Sequence, residues 1–217
     1  MIGPVMIGPS SSHTAGVVRI ARAAIRVLGS LPTHATITFY NSFARTYEGH
    51  GSDRAIVAGL LDYATDDTRI REAFEHARTA GLQYSFQGIG NASTMHPNTI
   101  RLQLRDERAG TEVDVVGQSR GGGVIRIVEV DGFPCDFSAG LHTLILDADD
   151  VKGSIAFIAD VIAHDDCNIA TMNVSRKGKH QAARQFIEMD SALSDVALGY
   201  LRHLRWVHQV RYIPAIA

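Results

Sequence analysis

Ten consecutive residues, Ile7-Gly8-Pro9-Ser10-Ser11-Ser12-His13-Thr14-Ala15-Gly16, set four hydroxyls and an imidazole between a Gly-Pro turn and an apolar-periodic run starting at Val17. Hydroxyl residues ahead of such a run mark a helix N-terminus. Unpaired amides and the positive end of the helix dipole suit a carboxylate or phosphate there. A cap needs only one such residue, and Ser12 or Thr14 would serve. Ser10, Ser11, Ser12, His13 and Thr14 together exceed that need and point to a small-anion site. Two further imidazoles stand in turns: His50 in Gly49-His50-Gly51-Ser52-Asp53, and His96 in Met95-His96-Pro97-Asn98. Turns of this kind display binding and catalytic groups. Histidine titrates near neutrality, so all three suit proton transfer or substrate orientation. Each also has a structural reading, in which His13 caps a helix, His50 lies in a linker and His96 satisfies a turn.

These groups need a scaffold, and its pattern is readable. Val17, Ile20, Ala21, Ala24, Ile25 and Leu28 recur at helical spacing, with Arg19, Arg22 and Arg26 opposite and Gly29 placed to end the helix. Residues 35–40 alternate as a strand. Ser52 and Asp53 can cap a helix carrying Ile56, Val57, Leu60 and Leu61. Asp66-Asp67 opens a third helix, with Ile70, Ala73, Phe74 and Ala77 on one face and Gly81 closing it. A strand around Tyr84 and Phe86 leads to Gly88-Ile89-Gly90-Asn91. Strands through Ile100-Leu104, Val113-Val115 and Ile125-Ile127 then form an antiparallel meander. Gly121-Gly122-Gly123 lacks the strand–helix context of a phosphate loop and reads as a hairpin turn. Met1 to Pro9 is expected to be an edge strand or packed arm.

The pattern changes near Gly132-Phe133-Pro134. Strand (Leu141 to Asp147), helix (Val151, Ile155, Ile158, Ala159, Ile162), two strands, helix (Leu193, Val196, Ala197, Tyr200, Leu204) and strand (Val207 to Ile213) follow as βαββαβ. The fold class expected is α+β in two domains, residues 1–134 and 135–217.

Composition narrows the classes. The 217 residues are 45% hydrophobic and carry a formal charge of −2, with no basic patch to suit nucleic acid. No apolar run approaches the ~20 residues of a membrane helix, and no secretory signal opens the chain. The expectation is a cytoplasmic protein. Cys135 and Cys167 alone make neither a disulfide framework nor a metal-ligand set, and read as buried thiols. His164, His180, His203 and His208 read as surface residues.

The hydroxyl run, Gly49-His50-Gly51-Ser52-Asp53, His96-Pro97-Asn98 and Ser119 with Gly121-Gly122-Gly123 resemble the β component of bacterial iron–sulfur L-serine dehydratase. The C-terminal unit resembles an ACT domain of ferredoxin-like fold, and the N-terminal half resembles the allosteric substrate-binding domain of some 3-phosphoglycerate dehydrogenases, an α/β sandwich. The family usually carries several residues more before Ile7-Gly8-Pro9, so this start is expected to be an alternative or trimmed one.

The resemblance implies elimination of water from L-serine, giving pyruvate and ammonia in amino-acid degradation and gluconeogenesis. It implies a [4Fe–4S] cluster held by cysteines of a separate alpha subunit. Two cysteines here cannot supply the three or four thiolates a cluster needs. On this view the chain is half of a heterodimer. It grips the serine carboxylate through Ser11, Ser12 and Thr14, with Asn98 fixing a histidine or the substrate. His50, His96 and His13 are the catalytic candidates, and His50 is the first choice for the base. The ACT resemblance implies self-association, with effector positions near Asp150, Gly153 and Asn168. No metal ligand is expected in this chain. A non-catalytic amino-acid-sensing or assembly subunit is the alternative. A serine hydrolase built on Ser11 or Ser12 with His13 lacks the Gly-x-Ser-x-Gly elbow and has the base next door in sequence.

Overall fold

A computed structural model describes residues 10–90, 94–178 and 181–216. The expected N-terminal arm, Asn91 and His180 lie outside the described residues. The chain divides into two units, Met1–Gly132 and Phe133–Ala217.

In the first unit the elements run α1 (Ala15–Leu28), β1 (His34–Tyr40), α2 (Asn41–Thr46), α3 (Ser52–Leu60), a 3₁₀ turn (Thr68–Glu72), α4 (Ala73–Ala80), β2 (Gln83–Ile89), β3 (Thr99–Asp106), β4 (Thr111–Gly121) and β5 (Val124–Val130). The sheet order is β2-β1-β3-β4-β5, parallel between β1 and β2 and antiparallel onward. Helix α1 is apolar on nearly every position except its arginines, and Val17, Val18, Ile20, Ala21, Ala24 and Ile25 are buried. Two glycines permit its close packing. A Cβ on Gly59 of α3 would lie 2.6 Å from the Val18 carbonyl oxygen, and one on Gly117 of β4 2.6 Å from Ile20 Cγ2. Gly29 ends α1 in the left-handed region, φ 87°, with its amide on the Ile25 carbonyl. Arg22 and Arg26 both reach Asp62.

Ile37, Phe39, Ile100, Leu102, Leu104, Val113 and Val115 are buried, as the alternation required. The opposite side of the sheet carries Thr36, Ser85, Gln103 and Glu112 around a concavity of about 710 Å³. None of the candidate site residues lines it. Helix α2 was not expected from the sequence. Its six residues, Asn-Ser-Phe-Ala-Arg-Thr, are too few to show a helical period, and only Phe43 is buried.

The second unit comprises β6 (Phe133–Phe137), β7 (His142–Asp149), α5 (Ser154–His164), β8 (Ile169–Arg176), β9 (Ala182–Met189), α6 (Asp195–Arg202) and β10 (Val207–Ile213). Strand β6 falls where the sequence reading placed only a boundary, because Pro134 argues against a strand interior. The β7–β10 portion is βαββαβ with strand order β10-β7-β9-β8, antiparallel throughout. Leu144, Leu146, Ile158, Ile162, Ile187, Met189, Leu198 and Leu201 form its core. Val151, Ile155, Val196 and Tyr200, counted in the apolar period, are instead exposed, Val196 by 82%. The buried stripe is narrower than the apolar one. No helix among the described residues is long and apolar enough to cross a membrane.

Candidate active site

The hydroxyl run folds as a turn that feeds directly into α1. The amides of Thr14, Gly16 and Val18 donate to the carbonyls of Ser10, Ser11 and Thr14 at 2.9, 3.0 and 2.9 Å. These three amides, expected to be open to an anion, are therefore satisfied within the turn. Nor does a hydroxyl cap the helix: Thr14 occupies the N-cap position without a side-chain cap bond. The residue is only 2% exposed, and Oγ1 has no partner among the described residues.

The serines gather on His13. Ser10 Oγ and Ser12 Oγ lie 3.0 and 3.1 Å from His13 Nδ1 and 3.2 Å from each other. Two buried serines hold the turn from behind. Ser52 Oγ donates to the His13 carbonyl at 2.8 Å and Ser119 Oγ to the Ser12 carbonyl at 3.0 Å. The Gly122 amide donates to Ser11 Oγ at 3.2 Å, so the triple-glycine hairpin belongs to this site. Ser52 was expected to cap α3. Gly51 takes that N-cap position at φ 70°, and Asp53 accepts from the Arg54 amide.

His50 stacks on His13, ring centroids 4.6 Å apart at 27°. Phe43 meets His13 edge-on at 4.8 Å. His50 Nδ1 lies 3.1 Å from the Thr46 carbonyl. A carbonyl only accepts, so Nδ1 carries the hydrogen and the neutral ring keeps its lone pair on Nε2. His96 has the opposite arrangement: its Nδ1 accepts from the Asn98 amide at 3.2 Å, which leaves the hydrogen of the neutral ring on Nε2. Burial, then the charge of His50, lowers the His13 pKa below 6.5. Burial and Arg120 lower that of His96.

No described ring contact or hydrogen bond joins His96 to the other two imidazoles. It is tied to them through the backbone: Ser42 donates its amide to the Pro97 carbonyl at 3.1 Å, and Ser119 donates its own to the Asn98 carbonyl at 3.0 Å. Asn98 thus fixes His96 through its main chain. His13 and a serine do meet, but the second nitrogen of the ring faces Thr46 Oγ1 at 3.2 Å and not a carboxylate. A hydrolase triad has no third member among the described residues.

Ser10, Thr46, Ser52 and Ser119 complete the cluster. Ser10 was expected in the anion site, Ser119 stood in a family-like segment without a role, Ser52 was given a different one, and Thr46 carried no sequence signal. In the second unit, Asp150 pairs with Arg176 at 2.8 Å, Asn168 donates to Asp190 at 2.7 Å, and Gly153 is the left-handed N-cap of α5 at φ 87°. No described bond links these three positions.

The serine dehydratase beta chain family model matches residues 2–87. The chain is 42% identical over 213 residues to the probable L-serine dehydratase beta chain of Bacillus subtilis, covering 98% of this chain and 96% of that one. It is 33% identical over 195 residues to the L-serine dehydratase beta chain of Peptoniphilus asaccharolyticus, covering 90% and 87%. Similarity to the D-3-phosphoglycerate dehydrogenase of Bacillus subtilis is 28% over 162 residues, 74% of this chain and 30% of that one.

Proposed function

Because the chain belongs to the L-serine dehydratase beta-chain family, we propose that it works beside an alpha chain as the beta subunit of an L-serine ammonia-lyase, with the His13–His50 cluster as its half of the serine site. The observation that supports this most is the stacked imidazole pair beside the serine hydroxyls, with no partner for Nε2 of His50 among the described residues.

In this reading the substrate carboxylate accepts from Ser11 and Ser12, with Asn98 alongside. The buried Thr14 Oγ1 gains the partner it lacks. Nε2 of His50 takes the proton from Cα. The released electron pair forms the Cα=Cβ bond as the Cβ–O bond breaks, and hydroxide leaves with a proton as water. His96, with its hydrogen on Nε2, is the candidate donor. The aminoacrylate tautomerises to an imine, and one water converts it to pyruvate and ammonia.

The proposal leaves the [4Fe–4S] cluster on the alpha chain. Cys135 and Cys167 are buried in the second unit, and no three His, Cys, Asp or Glu side chains converge on a cation position among the described residues. This chain does not fit the ligand set of a cluster. On the partner, the cluster would supply a Lewis acid for the departing hydroxyl. The βαββαβ unit is proposed to be an ACT-like domain that pairs with a second copy, with Asp150, Gly153 and Asn168 as effector positions.

Similarity to part of a phosphoglycerate dehydrogenase supports a second, sensing reading. Mixing purified alpha and beta chains and following pyruvate from L-serine separates the two. The catalytic reading expects turnover only from the mixture. An alpha chain fully active alone would leave this chain a regulator.

A further inference from the structure

We propose that Thr46 is a positioning residue that sets which nitrogen carries the proton in both His13 and His50. Thr46 is the last residue of α2. Its Oγ1 lies 2.9 Å from the Ser42 carbonyl oxygen and 3.2 Å from His13 Nε2. The carbonyl only accepts, so the single hydroxyl hydrogen of Thr46 points to Ser42, and towards His13 the oxygen offers lone pairs alone. Nε2 of His13 must therefore carry a hydrogen. The neutral ring then accepts at Nδ1, where Ser10 and Ser12 stand at 3.0 and 3.1 Å.

The other oxygen of the same residue does the converse. The Thr46 carbonyl accepts from Nδ1–H of His50 at 3.1 Å and from the His50 amide at 3.1 Å. One threonine thus takes an N–H from each of two stacked rings, through opposite nitrogens. The lone pairs left for chemistry are Nδ1 of His13, which orders the serine hydroxyls, and Nε2 of His50, the proposed base. Of the two hydroxyl hydrogens on Ser10 and Ser12, one goes to His13, and the other has the neighbouring serine oxygen 3.2 Å away as its acceptor. A serine or threonine bonding back to the carbonyl four residues earlier is ordinary on a helix. Here that bond also decides the polarity of an oxygen facing an imidazole. The tautomers follow from the geometry alone; their consequence for turnover rests on the catalytic reading above.

Nitrogen-15 NMR of the full chain labelled at histidine reads the tautomers directly. His13 is expected as Nε2–H and His50 as Nδ1–H. Thr46→Val keeps the shape and removes the acceptor. His13 is then expected to move its hydrogen to Nδ1, where serine oxygens accept it, while His50 keeps its own because the carbonyl persists. Thr46→Ser should restore the wild-type spectrum, and Thr46→Ala serves as a second oxygen-free variant should Thr46→Val not fold. In the complex with the alpha chain, Thr46→Val should lower kcat/KM about 5–10-fold, the effect of one hydrogen bond, and Thr46→Ser should stay within about twofold. A wild-type His13 protonated on Nδ1, or a His13 signal indifferent to the valine, overturns the proposal whatever the activity. Full turnover by a His50→Ala complex overturns the catalytic reading instead and leaves the tautomer assignment standing.

Discussion

The imidazoles of His13 and His50, 37 positions apart in the chain, lie stacked with their centroids 4.6 Å apart. Burial first, and then the neighbouring His50, lower the pKa of His13. His50→Ala in the reconstituted complex is expected to lower kcat by about 10²–10⁴-fold, the usual span for a general acid–base group. Turnover within threefold of wild type would remove His50 from the role.

The depressed pKa values of His13 and His96 set the sign of a pH effect on stability. Both fall below the ordinary 6.5 through burial first, with His50 and Arg120 adding to it. Between the folded pKa and 6.5 the unfolded chain binds more protons, so stability rises with pH across that window. The stabilisation is complete above about 6.5 and is lost as pH falls. Urea midpoints measured below and above that value should increase with pH, and a His13→Gln/His96→Gln variant should show a flatter profile. An unchanged slope would mean that neither ring is held neutral by the fold.

Much of this architecture was legible because long periodic segments announce themselves. Helix α1, the β3–β5 meander and the βαββαβ order all follow from apolar spacing that the packing then uses. The cluster was half legible. His13, His50 and His96 stood out because glycine, proline or hydroxyls flank them. Thr46 did not, because α2 is one and a half turns long and begins at Asn41, whose φ of 50° breaks with β1 abruptly. Ser119 binds Ser12 across 107 positions, and no local pattern encodes such a pairing. Exposure of Val196 and Tyr200 was equally hidden, since an apolar period does not say how wide a stripe the neighbours will cover.

Helix α6 offers a test in the second unit. Ser194 caps it, its Oγ accepting from the Ala197 amide at 3.1 Å and donating to Asp165 at 2.6 Å. The Ser194 amide also donates to Asp165 at 2.6 Å, and these bonds lower the pKa of that carboxyl. Ser194→Ala should destabilise the fold by about 1–2 kcal/mol, at the upper end for a cap because two bonds are lost. Chemical denaturation of the full chain measures it. A loss of a few tenths of a kcal/mol would show the cap to be frayed in solution.

Gly16 and Ser119 supply the sharpest packing test, because one contact joins stability to the site. A Cβ on Gly16 would stand 2.1 Å from Ser119 Oγ and 2.9 Å from Ser119 Cβ, and both residues are buried. Gly16→Ala gains helix propensity of up to about 1 kcal/mol. Overpacking of a tight contact costs about 1–3 kcal/mol, so the net effect should be destabilising. Ser119→Gly removes both clashing atoms, together with the hydrogen bond to the Ser12 carbonyl. The double variant should therefore be more stable than the sum of the single effects predicts, with a coupling of about 0.5–3 kcal/mol. Additive losses would mean that the two residues do not touch. Because Ser119 holds Ser12, Gly16→Ala should also shift the hydroxyl run and raise KM for L-serine more than it lowers kcat. A Gly16→Ala complex with unchanged KM would separate this buried contact from substrate binding.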